Sequence, residues 1–89
     1  MRSKTTRKFR ALQANLSADL QRRADDAYDQ FCRDSDHPGL RFKKVHATLP
    51  VYSARVTKDY RAVGIIKDET ILWFWIGKHS EYEKLLANL

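Results

Sequence analysis

The chain has 89 residues, 43% apolar and 31% charged, with 17 Lys and Arg against 11 Asp and Glu for a formal net charge of +6. That length holds one domain, residues 1–89, with a core able to fold alone and no room for a second module or a deep cofactor cleft. Ten aromatic residues argue against disorder, a lone Cys32 excludes an internal disulfide, and no apolar run nears the roughly 18 residues of a membrane span. With no hydrophobic segment after the basic first residues, the expectation is a cytoplasmic protein without a membrane partner.

In chain order, Phe9, Leu12 and Leu16 repeat at helical spacing. Ser17 then reads as the N-cap of a second helix whose apolar stripe is Leu20, Ala24, Ala27, Tyr28 and Phe31. Pro38 and Gly39 end it. The segments LRFKKV (40–45), YSARV (52–56), YRAVGII (60–66) and TILWFWI (70–76) are rich in β-branched and aromatic residues and read as four strands. Ser80 and Glu83 fit a capping box, so a last helix is expected to start at Ser80, with Tyr82, Leu85, Leu86 and Leu89 on its apolar side.

The turns suggest a register. TKD (57–59) and KDE (67–69) are three-residue connections, short enough for an antiparallel meander. Symmetric closure sets Val56 against Tyr60 and Arg55 against Arg61, and across the second hairpin Arg61 against Trp75 and Val63 against Trp73. One face would then carry Ser53, Arg55, Arg61, Val63, Trp73 and Trp75. The other, with Tyr52, Ala54, Val56, Tyr60, Ala62, Gly64, Leu72, Phe74 and Ile76, is the expected core face. Two arginines directly opposed repel each other unless an anion or solvent relieves them.

The charge distribution points the same way. Residues 40–67 hold Arg41, Lys43, Lys44, Arg55, Lys58, Arg61 and Lys67 against one acid, Asp59, which alone accounts for the net +6. Guanidinium groups beside indole rings suit phosphate and unstacked bases. A solvated, solubilising surface is the plainer reading of scattered lysines. His79 precedes the last helix, where the positive dipole end attracts anions. Two readings of it stand side by side: a polar junction residue, with Tyr82 a core aromatic, or an imidazole that exchanges protons at a phosphate site. The three histidines lie far apart in sequence without Cys or carboxylates at ligand spacing, so no metal site is expected. There is no Gly-rich phosphate loop, and Cys32 reads as a small packed residue.

LRFKKV, then YSARV-TKD-YRAVG, then WFWIGKHSEYEKLL together resemble the RelE/ParE superfamily of toxins from bacterial type II toxin–antitoxin systems, over about residues 5–89. The resemblance implies an α+β fold: two N-terminal helices packed on a curved, mainly antiparallel four-stranded sheet, with a short C-terminal helix. For the RelE-like branch it implies a metal-independent, ribosome-dependent mRNA endoribonuclease with no cofactor, in which the ribose 2′-hydroxyl attacks the adjacent phosphate. Arg61 matches the sheet arginine that stabilises the transition state. Arg55 falls where some members have a second cation. His79 matches the position of a proton donor, and Tyr82 resembles a tyrosine that stacks on or orients substrate. Lys43 and Lys44 would hold RNA, with Arg41, Lys58 and Trp75 on the same expected nucleic-acid-binding face. Ser53 stands where some nucleases have a lysine, and Glu81 is only the nearest carboxylate to serve as base. The implied partners are a cognate antitoxin, the ribosome and mRNA. The ParE-like branch would instead inhibit DNA gyrase, and an inactive RNA-binding relative is a third reading.

Overall fold

The computed structural model describes all residues, Met1–Leu89. Its elements run β1 (Arg2–Thr5), α1 (Arg7–Ala14), α2 (Ala18–Arg33), a 3₁₀ turn (Pro38–Leu40), β2 (Lys43–Lys44), β3 (Val51–Arg55), β4 (Tyr60–Lys67), β5 (Thr70–Lys78) and α3 (His79–Ala87). The sheet order is β1-β5-β4-β3-β2, with β1 parallel to β5 and every other pairing antiparallel. The two helices and the meander follow the sequence expectation, but the sheet has five strands, not four. The added strand, RSKT, is short and polar and carries no hydrophobic alternation.

Ser17 caps α2 as expected, its hydroxyl accepting the Leu20 N–H at 3.2 Å, and Thr6 does the same for α1 by accepting from Phe9 at 3.0 Å. The helices lay Phe9, Ala24 and Phe31 over Ala54, Ala62, Ile71, Trp73 and Ile76 of the sheet. Phe31 meets the edges of Trp73 at 5.2 Å and Phe42 at 5.0 Å, geometries worth about 0.5–1.5 kcal/mol each beyond the area they bury. No helix is long and apolar enough to cross a membrane.

Trp73 and Leu72 are where the expected register fails. The second connection has two residues, Asp68 and Glu69, both at positive φ, and Lys67 pairs with Thr70. The partners shift between Val63 and Gly64: Gly64 faces Trp73 and Val63 faces Trp75, leaving Phe74 as the extra residue of a β-bulge. The two-residue turn shifts the register by one and puts Trp73 into the helix-covered core, its indole N–H donating to Ser3 Oγ at 3.0 Å, while Leu72 is exposed; the bulge then returns Trp75 and Ile76 to their expected faces. Phe74 joins the opposite face, where Val51, Val63, Trp75 and Tyr82 form a second core under α3.

The β1 edge is closed off. Arg2 and Thr6 donate their N–H groups towards β5, so by parallel-strand alternation the carbonyls of Ser3 and Thr5 point outward. The Tyr28 hydroxyl donates to the first at 3.3 Å and Arg10 Nη1 to the second at 2.7 Å.

Candidate functional site

On the face away from α1 and α2, Lys43, Ser53, Val63 and Trp75 form one row across the strands, and Arg55, Arg61 and Gly77 form the next. Arg55 faces Arg61 as the first turn predicted; Arg61 faces Gly77 and not Trp75, because the two-residue turn and the bulge each shift the register by one. Arg41, Lys43 and Lys58 are exposed, and Arg41 lies close enough to Arg61 to act on its charge; Lys44 is exposed too but pairs with Tyr52, on the helix side of the sheet edge. The one ion pair in the molecule, Arg23–Asp19 at 3.3 Å, lies on exposed side chains of α2, so no cation of this face is paired with a carboxylate. The face therefore presents its charge unneutralised.

Arg61 is held by backbone. Its Nη1 donates to the carbonyls of Thr57 at 2.8 Å, Tyr60 at 3.0 Å and Lys58 at 3.3 Å. Nε and Nη2 have no protein acceptor, which leaves the pair of parallel N–H donors that matches two phosphate oxygens. Burial first, and then the charge of Arg55, hold the guanidinium below its ordinary pKa, against a smaller opposing effect of Tyr82. Both leading causes disfavour a bare cation and would be relieved by an anion.

α3 starts earlier than the capping-box pattern indicates. Its N-cap is Lys78, with no side-chain cap, and His79 is the first helical residue. β5 runs directly into the helix, and the His79 N–H donates to the Asp59 carbonyl at 2.7 Å, so Ser80 falls inside the first turn. His79 is exposed, and its ring centroid lies 5.5 Å from that of Tyr82. The uncapped N-terminus of α3 and the arginine pair thus border the same area with positive potential.

Two expected substrate contacts are corrected. Tyr82 is 8% exposed and its hydroxyl donates to buried Ser53 Oγ at 3.4 Å; α3 folds it against the sheet, where it anchors the helix and offers no open ring face. Trp75 is 9% exposed, packed with Tyr82, and its indole covers Gly77, where an added Cβ would lie 2.6 Å from Trp75 Cζ2. Neither ring is a stacking platform. Their burial follows from α3 lying on the outer face, which strand alternation cannot show. Sequence reading noted Gly77 only as part of the strand-to-helix junction, not as the small residue beside Arg61, and it passed over the turn carbonyls. His37 and His46 lie elsewhere, each Nδ1 accepting backbone N–H groups of its own loop. No three His, Cys, Asp or Glu side chains gather as metal ligands.

Solved structures share this fold. RelE in the archaeal RelE–RelB complex from Pyrococcus horikoshii is 20% identical, with 86% of this chain covering 92% of that one at a TM-score of 0.68. YafQ from E. coli is 9% identical, with coverage of 92% and 98% and a TM-score of 0.68. The YoeB/ParE toxin from Agrobacterium tumefaciens is 13% identical, with coverage of 89% and 99% and a TM-score of 0.69. At these identities the likeness shows the fold, which is the RelE fold. No curated relative matches the chain. The model of the ParE-like toxin domain matches residues 18–84, from the start of α2 into α3 and across the whole basic face. By that match, the chain belongs to the ParE-like toxin family.

Proposed function

We propose that this toxin-family protein is the toxin of a type II toxin–antitoxin system and a metal-independent, ribosome-dependent mRNA endoribonuclease, acting in the cytoplasm and neutralised by a cognate antitoxin. The observation that carries the reading is Arg61: opposed to Arg55, without a carboxylate partner, and with its Nε–Nη2 edge free beside the start of α3. In the reaction, the ribose 2′-oxygen bonds to phosphorus, its proton passing to solvent, while the P–O5′ bond breaks. Arg61 takes the developing charge on the non-bridging oxygens, with Arg55 as the second cation. His79 gives its proton to the leaving 5′-oxygen. Lys43, Lys44, Arg41 and Lys58 hold the RNA backbone. Tyr82 and Trp75 serve by fixing α3, which carries His79. Solved relatives include RelE with RelB and YafQ with DinJ, toxins in complex with antitoxins, which supports an antitoxin as partner.

The match to a ParE-like family supports a second reading, inhibition of DNA gyrase, which needs no catalytic constellation. Induced expression in a bacterium lacking the antitoxin, followed by pulse labelling of protein and DNA synthesis, separates the two. For the nuclease, protein synthesis fails first, and Arg61→Ala and His79→Ala remove the effect while remaining folded. Full toxicity in both variants, or DNA synthesis failing first, refutes the nuclease assignment.

A further inference from the structure

Four successive carbonyls at the first hairpin turn each accept from Arg61 or His79, those of Thr57 and Tyr60 while also closing the turn with backbone N–H groups. Those of Thr57, Lys58 and Tyr60 accept from Arg61 Nη1, and that of Asp59, between them, accepts the His79 N–H at 2.7 Å. Backbone bonds among Val56, Thr57 and Tyr60 close the turn, and the one side chain that ties its interior is Thr57, whose Oγ1 accepts the Asp59 N–H at 3.3 Å. A hydroxyl accepting from the N–H two residues on is a local closure that sets the path of the backbone between them. Arg61 and His79 lie 18 residues apart on different elements, yet a single short turn holds the side chain of one and the backbone of the other. An arginine needed only to satisfy stray carbonyls in an exposed turn could be replaced by water.

We infer that the Thr57–Tyr60 turn is the positioning element of the site, and that Thr57 is a positioning residue which fixes the Arg61 guanidinium relative to His79 through the turn carbonyls. The consequence for turnover rests on the nuclease reading; the clamp on Arg61 does not. Geometry of this kind acts on the reacting complex more than on substrate affinity, since a misplacement of about 1 Å can lower a rate about 100-fold.

The test uses the full-length protein as wild type, Thr57→Val, which keeps the shape and removes the hydroxyl, and Thr57→Ser, which keeps the hydroxyl. Two quantities are measured: mRNA cleavage on programmed ribosomes, and rotation of the Arg61 guanidinium by ¹⁵N NMR of its Nε and Nη groups. Thr57→Val is expected to lower kcat about 10-fold to 100-fold with KM little changed and to free the guanidinium rotation. Thr57→Ser restores both. A Thr57→Val protein with wild-type kcat overturns the positioning role, whatever its melting temperature, and so does a loss that Thr57→Ser fails to restore. If wild type cleaves no mRNA, the nuclease reading falls and the NMR arm decides alone. Hindered rotation in wild type and Thr57→Ser but not in Thr57→Val then upholds the clamp, and equal rotation in all three refutes it.

Discussion

Replacing Arg55 by Gln should make the protein more stable and a poorer binder of RNA. Val56 donates its N–H to the Tyr60 carbonyl, and Ile66 donates to Pro50, so pairs of that parity are the hydrogen-bonded ones. Arg55 and Arg61 fall on the alternate, non-hydrogen-bonded position, where facing Cβ atoms are closest, about 4.5–5.5 Å apart. Directly opposed like charges there oppose folding by about 0.2–1 kcal/mol. Glutamine is uncharged and keeps a flexible polar side chain, so the charge is the main loss. In a domain of this size the gain corresponds to a rise in Tm of about 1–8 °C. The assay is thermal unfolding at low salt and again near 1 M, where the Debye length falls to about 3 Å and the repulsion is screened. The gain should therefore vanish at high salt. The same variant should bind RNA with a shallower salt dependence, by about one phosphate contact. A variant that is less stable than wild type at low salt, or whose advantage persists at 1 M, refutes the account of two cations held together for an anionic ligand.

Two further outcomes follow from the second hairpin. Asp68 and Glu69 sit at φ 52° and 61°, a left-handed pair for which glycine is suited, so Glu69→Gly should stabilise by about 1 kcal/mol in urea unfolding; a loss of stability would contradict the turn geometry. A Cβ at Gly64 would meet Ile71 Cγ1 at 2.8 Å and the Leu72 carbonyl at 3.0 Å, so Gly64→Ala should destabilise by about 1–3 kcal/mol, and unchanged stability would show that the bulge relaxes freely.

The parts legible in the sequence were those written in local signals. The stripe from Leu20 to Phe31 and the cap at Ser17 gave α2, and the three-residue turn at Thr57–Asp59 gave the Arg55–Arg61 pairing on which the site rests. What was hidden depends on distant chain. β1 is four polar residues whose partners lie 68 positions on, stabilised by contacts such as Trp73 with Ser3 that no local pattern encodes. The turn at Asp68–Glu69 lacks the glycine that normally marks it and has two residues, which reversed the facing of Leu72 and Trp73, and the bulge at Phe74 then shifted the rest of the strand once more. The Ser80–Glu83 pattern was present but unused, because the strand hydrogen bond from His79 to Asp59 carries the chain straight into α3. The nearest miss at the site was Trp75: its face was predicted with Ser53 and Val63, but it was set opposite Arg61 where the strands pair it with Val63, and the helix above it was not foreseen.

The two ends of the sheet answer differently to an approaching strand. At β1 the outward carbonyls are already occupied by Tyr28 and Arg10, so a newcomer must first displace both. At β2 the edge is Lys43–Lys44, and two copies of the chain meeting there antiparallel would set lysine against lysine. The molecule is thus guarded against polymerising with itself at either end, while its β2 end remains receptive to an extended acidic segment, whose charge would turn the same two lysines from a barrier into an attraction.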